Sequence, residues 1–149
     1  MDQSVQTDMA NALSSAVKDI LGVIEQDRER EIITRRFGLY DRKETLEQIG
    51  ELLGITRERV RQLEKAILIR LKIAAEGGKI PSVHDVERTL IRHLSEKGRV
   101  ARISDVANDL VGPDATPQQK SHIAFIAELS PSISVINEND DYHHAIGIQ

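Results

Sequence analysis

The stretch Thr56-Arg57-Glu58-Arg59-Val60-Arg61-Gln62-Leu63-Glu64 sorts its side chains onto two sides of a helix. At about 100° per residue, Arg57, Glu58, Arg61 and Gln62 share one arc, and Val60, Leu63, Ile67 and Leu71 lie roughly opposite. The second arc suits a core. The first carries groups that bond base edges: Arg to guanine, Gln to adenine, and Glu to the cytosine amino group. All four lie in the first two turns, the part of a recognition helix that enters the major groove. Backbone N–H groups at such a helix start also attract phosphate.

Immediately upstream, Thr45 and Gln48 have the spacing of a capping box. Leu46, Ile49, Leu52 and Leu53 give that short helix an expected apolar face, and Gly54 ends it. Leu53 and Ile55 are expected to plug the angle before Thr56 caps the next helix, which should run to about Ala75. Residues 45–72 therefore read as a helix-turn-helix. Arg57, Glu58, Arg61 and Gln62 are its expected base readers. Arg35, Arg36, Arg42, Lys43, Thr45, Thr56, Arg59 and Lys65 are expected to touch the DNA backbone or support the motif. The same charges would also suit a merely solvated helix face.

Further toward the N-terminus, Met9, Leu13, Val17, Ile20, Leu21 and Ile24 recur at helical spacing. Glu25-Gln26-Asp27 breaks that helix, and Asp27 is expected to cap a second one carrying Ile32, Ile33 and Phe37 and stopping at Gly38. Toward the C-terminus, Ile67, Leu68, Ile69, Leu71 and Ile73 make the end of the recognition helix apolar almost all round. Such a helix is generally buried, so this end is expected to pack against a second domain or another chain. Gly77-Gly78 and Pro81 then mark an expected boundary between domains 1–76 and 80–149.

In the second half, Ser82 and Asp85 suggest another capping box, ahead of a helix with Val83, Val86, Leu90, Ile91 and Leu94. A short strand is expected at residues 100–103 and a helix at 104–111. Another helix should start at Thr116-Pro117 and carry Ile123, Ile126 and Leu129. Residues 134–136 and 142–148 are expected to pair as a hairpin across 137–141. The fold class is thus mainly α: a helix-turn-helix domain plus a small α+β winged-helix domain.

Composition narrows the function. Of 149 residues, 40% are hydrophobic and 30% charged, a globular balance, and only 3% are aromatic. No apolar run approaches the about 18 residues of a membrane span, and no signal-peptide pattern opens the chain. With no Cys, disulfides and thiolate metal sites are excluded, and a cytoplasmic, nucleoid-associated location is expected. The net charge is -4, yet residues 28–72 hold 12 basic and 8 acidic residues, a surplus of four positive charges. Residues 1–27 and 73–149 each carry a net charge of -4. A basic centre with acidic flanks suits phosphate only at the centre. Glu138, Asp140 and Asp141 would sit at the wing tip, where phosphate would repel them, so protein contact or self-association is expected there. His143 and His144 are adjacent in an expected strand and point to opposite faces, a poor geometry for one metal ion. The other histidines, His84, His93 and His122, are scattered and read as surface or packing residues. No cofactor, metal site or catalytic constellation is expected, and no enzyme activity.

Three blocks carry a family resemblance: Arg28-Glu29-Arg30-Glu31-Ile32-Ile33 with Arg36-Phe37-Gly38-Leu39, Thr45-Leu46-Glu47-Gln48-Ile49-Gly50, and the opening stretch. In that order and spacing they resemble region 4 of the sigma-70 family, over roughly residues 10–75. The resemblance implies recognition of promoter -35 elements in duplex DNA. It also implies docking to the β flap of RNA polymerase in an apolar groove of the first helices. The family's regions 2 and 3 have no counterpart here, so the chain is expected to recognise or regulate and not to start transcription by itself. The second half weakly resembles the HARE-type winged helix, also seen at the N-terminus of the polymerase delta subunit, through the helix from Val83, Ile103-Ser104-Asp105-Val106-Ala107 and the terminal hairpin. The competing reading is an adaptor that holds polymerase or another regulator without specific DNA readout. A third has the acidic winged helix masking the reading helix.

Overall fold

The computed structural model describes residues 3–139 and 142–149. Among them are seven helices and three strands. The helices are α1 (Gln3–Gly22), α2 (Asp27–Phe37), α3 (Leu46–Leu53), α4 (Arg57–Glu76), α5 (Pro81–Glu96), α6 (Ile103–Leu110) and α7 (Pro117–Glu128). The strands are β1 (Val100–Arg102), β2 (Ile133–Asn139) and β3 (Tyr142–Ile148). All pairing is antiparallel, in the order β1-β3-β2, with the register slipping between Ile136 and Asn139. The fold is mainly helical: a helix-turn-helix segment followed by a small α+β unit. The side chains of residues 138–144, and with them the expected acidic wing tip at Glu138, Asp140 and Asp141 and the His143–His144 pair, lie outside the described residues.

Most helix punctuation follows local chemistry. Thr45 and Gln48 form a complete capping box at the start of α3, and Thr116 and Gln119 form another at the start of α7. Gly38 and Gly54 end their helices in the left-handed conformation, where a side chain would be strained. Two expected caps differ. Asp27 lies inside the first turn of α2, after Gln26, so its charge favours the helix start without capping it. Ser82 also lies inside its helix, because α5 begins at Pro81. The Ser82 hydroxyl donates to Asp19 Oδ2 on α1 at 2.7 Å.

One continuous apolar core runs from Met9 on α1 to Ile146 on β3. Its hub is α7, in which every residue from His122 to Ala127 is buried. A helix covered on all sides needs neighbours all round, and α7 has α1, α2, α5, α6, β2 and β3. Phe37 of α2 meets Phe125 of α7 at a ring-centroid distance of 4.8 Å, within the range of a favourable tilted aromatic pair. The boundary expected near residues 77–80 is a turn between α4 and α5, and the core continues across it. His84 on α5 fastens that turn by donating from Nε2 to the Ala75 carbonyl at 2.9 Å.

One expectation about apolar faces is corrected. Leu52 is 53% exposed, so α3 buries Leu46 and Ile49 with only partial help from Leu53. The end of α4 packs on α5 and the core along one side only. Ile67 and Leu71 are buried and Leu68 partly so, but Ile69 is 48% and Ile73 65% exposed.

Candidate nucleic-acid interface

Three local devices fix the angle between α3 and α4. Thr56 precedes α4 in an extended conformation, and its hydroxyl accepts the Arg59 backbone N–H at 3.0 Å. Ile55 N–H donates to the Gly50 carbonyl at 2.9 Å. Gly50 sits in the middle of a buried turn of α3, where a Cβ would lie 2.7 Å from the Ile55 carbonyl oxygen. That atom is backbone and cannot swing aside, so the turn requires glycine there. Leu53 and Ile55 pack against the core from the corner, as expected.

The first turns of α4 then stand in solvent. Arg57, Glu58, Arg61 and Gln62 are all exposed, and Val60 behind them is fully buried. Glu58 and Arg61 engage each other through two hydrogen bonds, Nε to Oε2 at 3.0 Å and Nη2 to Oε1 at 2.8 Å. Both side chains are about half exposed, so this pair contributes little to stability. It aligns the guanidinium on the surface before any ligand arrives.

The supporting cations divide into two groups. Arg42, Arg59 and Lys65 are exposed and Lys43 partly so, as a phosphate-facing surface requires. Arg36 falls on the supporting side of that expectation: it is 5% exposed and bonded through Nε to Glu64 Oε1 at 3.1 Å. It ties α2 to the inner side of α4. Arg35 bonds Glu31 at 3.0 Å and Glu44 at 2.8 Å. These hydrogen bonds, first with Glu31 and then with Glu44, raise its already high pKa, so it stays charged but locally neutralised. Thr45 and Thr56 spend their hydroxyls on capping. Part of the central positive surplus is therefore structural.

Several supporting residues had no signal in the local pattern. Glu64 pairs with a residue 28 positions away, and Arg70 pairs with Glu29 across 41 positions. Gly50 did have a signal, since a glycine inside a helix commonly marks a close backbone approach. Below Arg61 and Lys65, a groove of about 310 Å³ separates α4 from the C-terminal unit, with Leu68 and Lys72 on one wall and Glu128 and Asn137 on the other. Burial pushes the Glu128 carboxyl above its ordinary range, Lys72 pulls it down, and Glu64 pushes it up.

Among the described residues no group of acidic, His or Cys side chains is arranged to hold a metal ion, and no helix is long and apolar enough to cross a membrane. Residues 26–72 match the family described as sigma-70, region 4. The match takes in α2, α3 and all but the last turn of α4.

Proposed function

We propose, from the premise that residues 26–72 form a sigma-70 region 4 helix-turn-helix, a DNA-binding module of the transcription machinery, that this chain reads -35-like promoter elements. Arg57, Glu58, Arg61 and Gln62 contact base edges. Arg42, Lys43, Arg59 and Lys65, with the α3 and α4 N-termini, hold the phosphates. The observation that carries this reading is the exposure of four base-bonding side chains on the capped start of α4, backed by a buried Val60. Arg61→Ala should cost about 1–3 kcal/mol of binding to a -35 duplex and relax base preference at one position. Titration of the parent and the variant against promoter and scrambled duplexes at two salt concentrations checks this. Equal affinities for all duplexes would remove the base-reading assignment.

Docking to the polymerase β flap belongs to the same proposal, with a narrower seat. The apolar sides of α1 and α2 are already covered by α5 and α7. What stays open is a notch of about 160 Å³ lined by Val23, Ile24, Ile67 and Leu71, with Glu29 and Arg70 at its edge. The adaptor reading is favoured by one observation: Glu58 and Arg61 satisfy each other without DNA. It predicts that an Arg57→Ala/Arg61→Ala variant still co-purifies with the β flap. Loss of flap binding in that variant would set the adaptor reading aside.

A further inference from the structure

We propose that the outer face of the sheet, together with the turn that leads into β1, docks an acidic polypeptide segment carrying an aliphatic residue among its carboxylates. Residues 88–102 hold five of the seven basic residues that follow Lys72, with Glu96 as their one acid. Residues 103–149 hold one basic and seven acidic residues, so the acidity of the C-terminal half lies elsewhere. Arg88 is paired with Asp85. Arg92, Lys97, Arg99 and Arg102 are exposed, and none of them has an ion pair among the described residues. They come from the last turns of α5, the turn after it and β1.

Arg99 occupies this place against its own conformational preference. Its φ is 80°, the one positive value outside glycine among the described residues, and a side chain is strained there. Its N–H donates to the Leu94 carbonyl at 2.8 Å, and its carbonyl accepts the Ile148 N–H at 2.9 Å. Both bonds are made by backbone, so glycine would serve the turn as well. The turn gains nothing from the guanidinium, whereas a carboxylate partner does.

The sheet supplies the apolar part. Its pairing puts Val100 and Arg102 of β1, Ala145 and Gly147 of β3, and Ser134 and Ile136 of β2 on one face. Ala101, Val135 and Ile146 take the other face, against the core. On the first face Val100 and Ile136 are 54% and 45% exposed, on either side of the small Ala145 and Gly147. Charge complementarity then selects the occupant. Duplex phosphates would satisfy the cations and leave Val100 and Ile136 in water. An acidic segment with an aliphatic residue matches both, in the manner of an apolar centre with a charged rim. The face also stands apart from the reading helix. The groove beside α4 is bordered by Asn137 of β2, and β1 lies beyond β3.

The test uses the full chain, amide NMR and three probes. The first is a peptide with a central Leu between two runs of three Glu, the second replaces that Leu by Ser, and the third is a random-sequence DNA duplex. The Leu peptide should bind and shift the amides of Val100, Arg102 and Ile136, and the Ser peptide should bind about fivefold weaker. Arg92→Ala/Arg99→Gly should weaken the Leu peptide about tenfold without lowering the melting temperature, because glycine relieves the positive φ. Val100→Ser/Ile136→Ser, which changes only exposed side chains, should remove the preference for Leu. No binding of the Leu peptide at millimolar concentration, shifts confined to other amides, or equal binding of the two peptides would overturn the proposal. Shifts of these amides by the duplex and not by the peptides would overturn it in favour of nucleic acid. Arg92→Ala/Arg99→Gly should bind a -35 duplex as the parent does, and a tenfold loss there would likewise assign the patch to DNA.

Discussion

At the scale of single residues, two Arg–Glu pairs of similar length do opposite work because their burial differs. Glu58–Arg61 is half exposed, screened by water and replaceable by DNA contacts. Arg36–Glu64 is nearly enclosed, with side-chain exposures of 6% and 14%. Breaking so enclosed a pair by removing one member typically costs about 3 kcal/mol or more. Glu64→Ala should therefore lower the unfolding free energy by about 3 kcal/mol, whereas Arg36→Met/Glu64→Leu together should cost much less. Urea denaturation of the three proteins measures both. A Glu64→Ala protein as stable as the parent would show that the Arg36–Glu64 bond does not hold α2 against α4.

His122 shows burial acting on a titration. Its Nε2 donates to the Leu39 carbonyl across 83 positions, at 2.8 Å. A carbonyl only accepts, so Nε2 holds the hydrogen and Nδ1 is the bare nitrogen; Nδ1 is buried without a hydrogen-bond partner. Burial lowers the pKa from 6.5, and the Leu39 bond opposes that shift. The unfolded chain thus takes up the proton first. The contribution of neutral His122 is complete above about pH 6.5 and is lost as pH falls from there toward the folded value. Glu128 works the other way, since its raised folded pKa makes mild acid favourable. The parent should lose more stability between pH 7 and pH 5 than His122→Gln does, by urea denaturation at both values. Parallel losses would mean that His122 does not titrate in this window.

At the scale of elements, the reading helix is positioned by its cap more than by its length. Thr56 satisfies one of the unpaired N–H groups at the start of α4. Thr56→Ala should cost about 1 kcal/mol of stability and let the first turn fray, which weakens promoter binding more than the stability change alone would. Amide exchange of Glu58 and Arg59 against that of Val86 reports this. Faster exchange confined to α4's start is expected, and uniform exchange would show that the cap is not limiting. Helix α7 makes the complementary point. It carries few charges and is covered on every side, so it organises the molecule without presenting a surface of its own.

At the scale of the whole molecule, the reading unit leans on the C-terminal half of the chain. Helix α1 packs on α5 and α7, and Phe37 on Phe125. A chain ending at Ala75 would expose Leu13, Val17, Ile20 and Phe37, all buried here, and should lose cooperative thermal unfolding by circular dichroism. Retention of a sharp transition would mean that residues 1–75 fold alone. Stronger DNA binding by a folded truncation would instead favour masking by the acidic C-terminal unit.

The sequence by itself determined what is local and periodic. It specified the α3–turn–α4 motif, the Thr45, Thr56 and Thr116 caps, the stops at Gly38 and Gly54, and the pairing of the terminal hairpin. Each rests on residues within about one helical turn or on alternation along one segment. It also assigned Arg57, Glu58, Arg61 and Gln62 to one arc, because helical spacing alone sets that. Tertiary structure decided which charges are available and which apolar faces are covered. Arg36 and Arg42 look alike in sequence, and only Glu64, brought in from 28 positions away, makes one of them internal. Ile67 and Ile69 are equally apolar, yet the core takes one and leaves the other in solvent. Burial depends on packing partners distant along the chain, so neither residue type nor period can announce it.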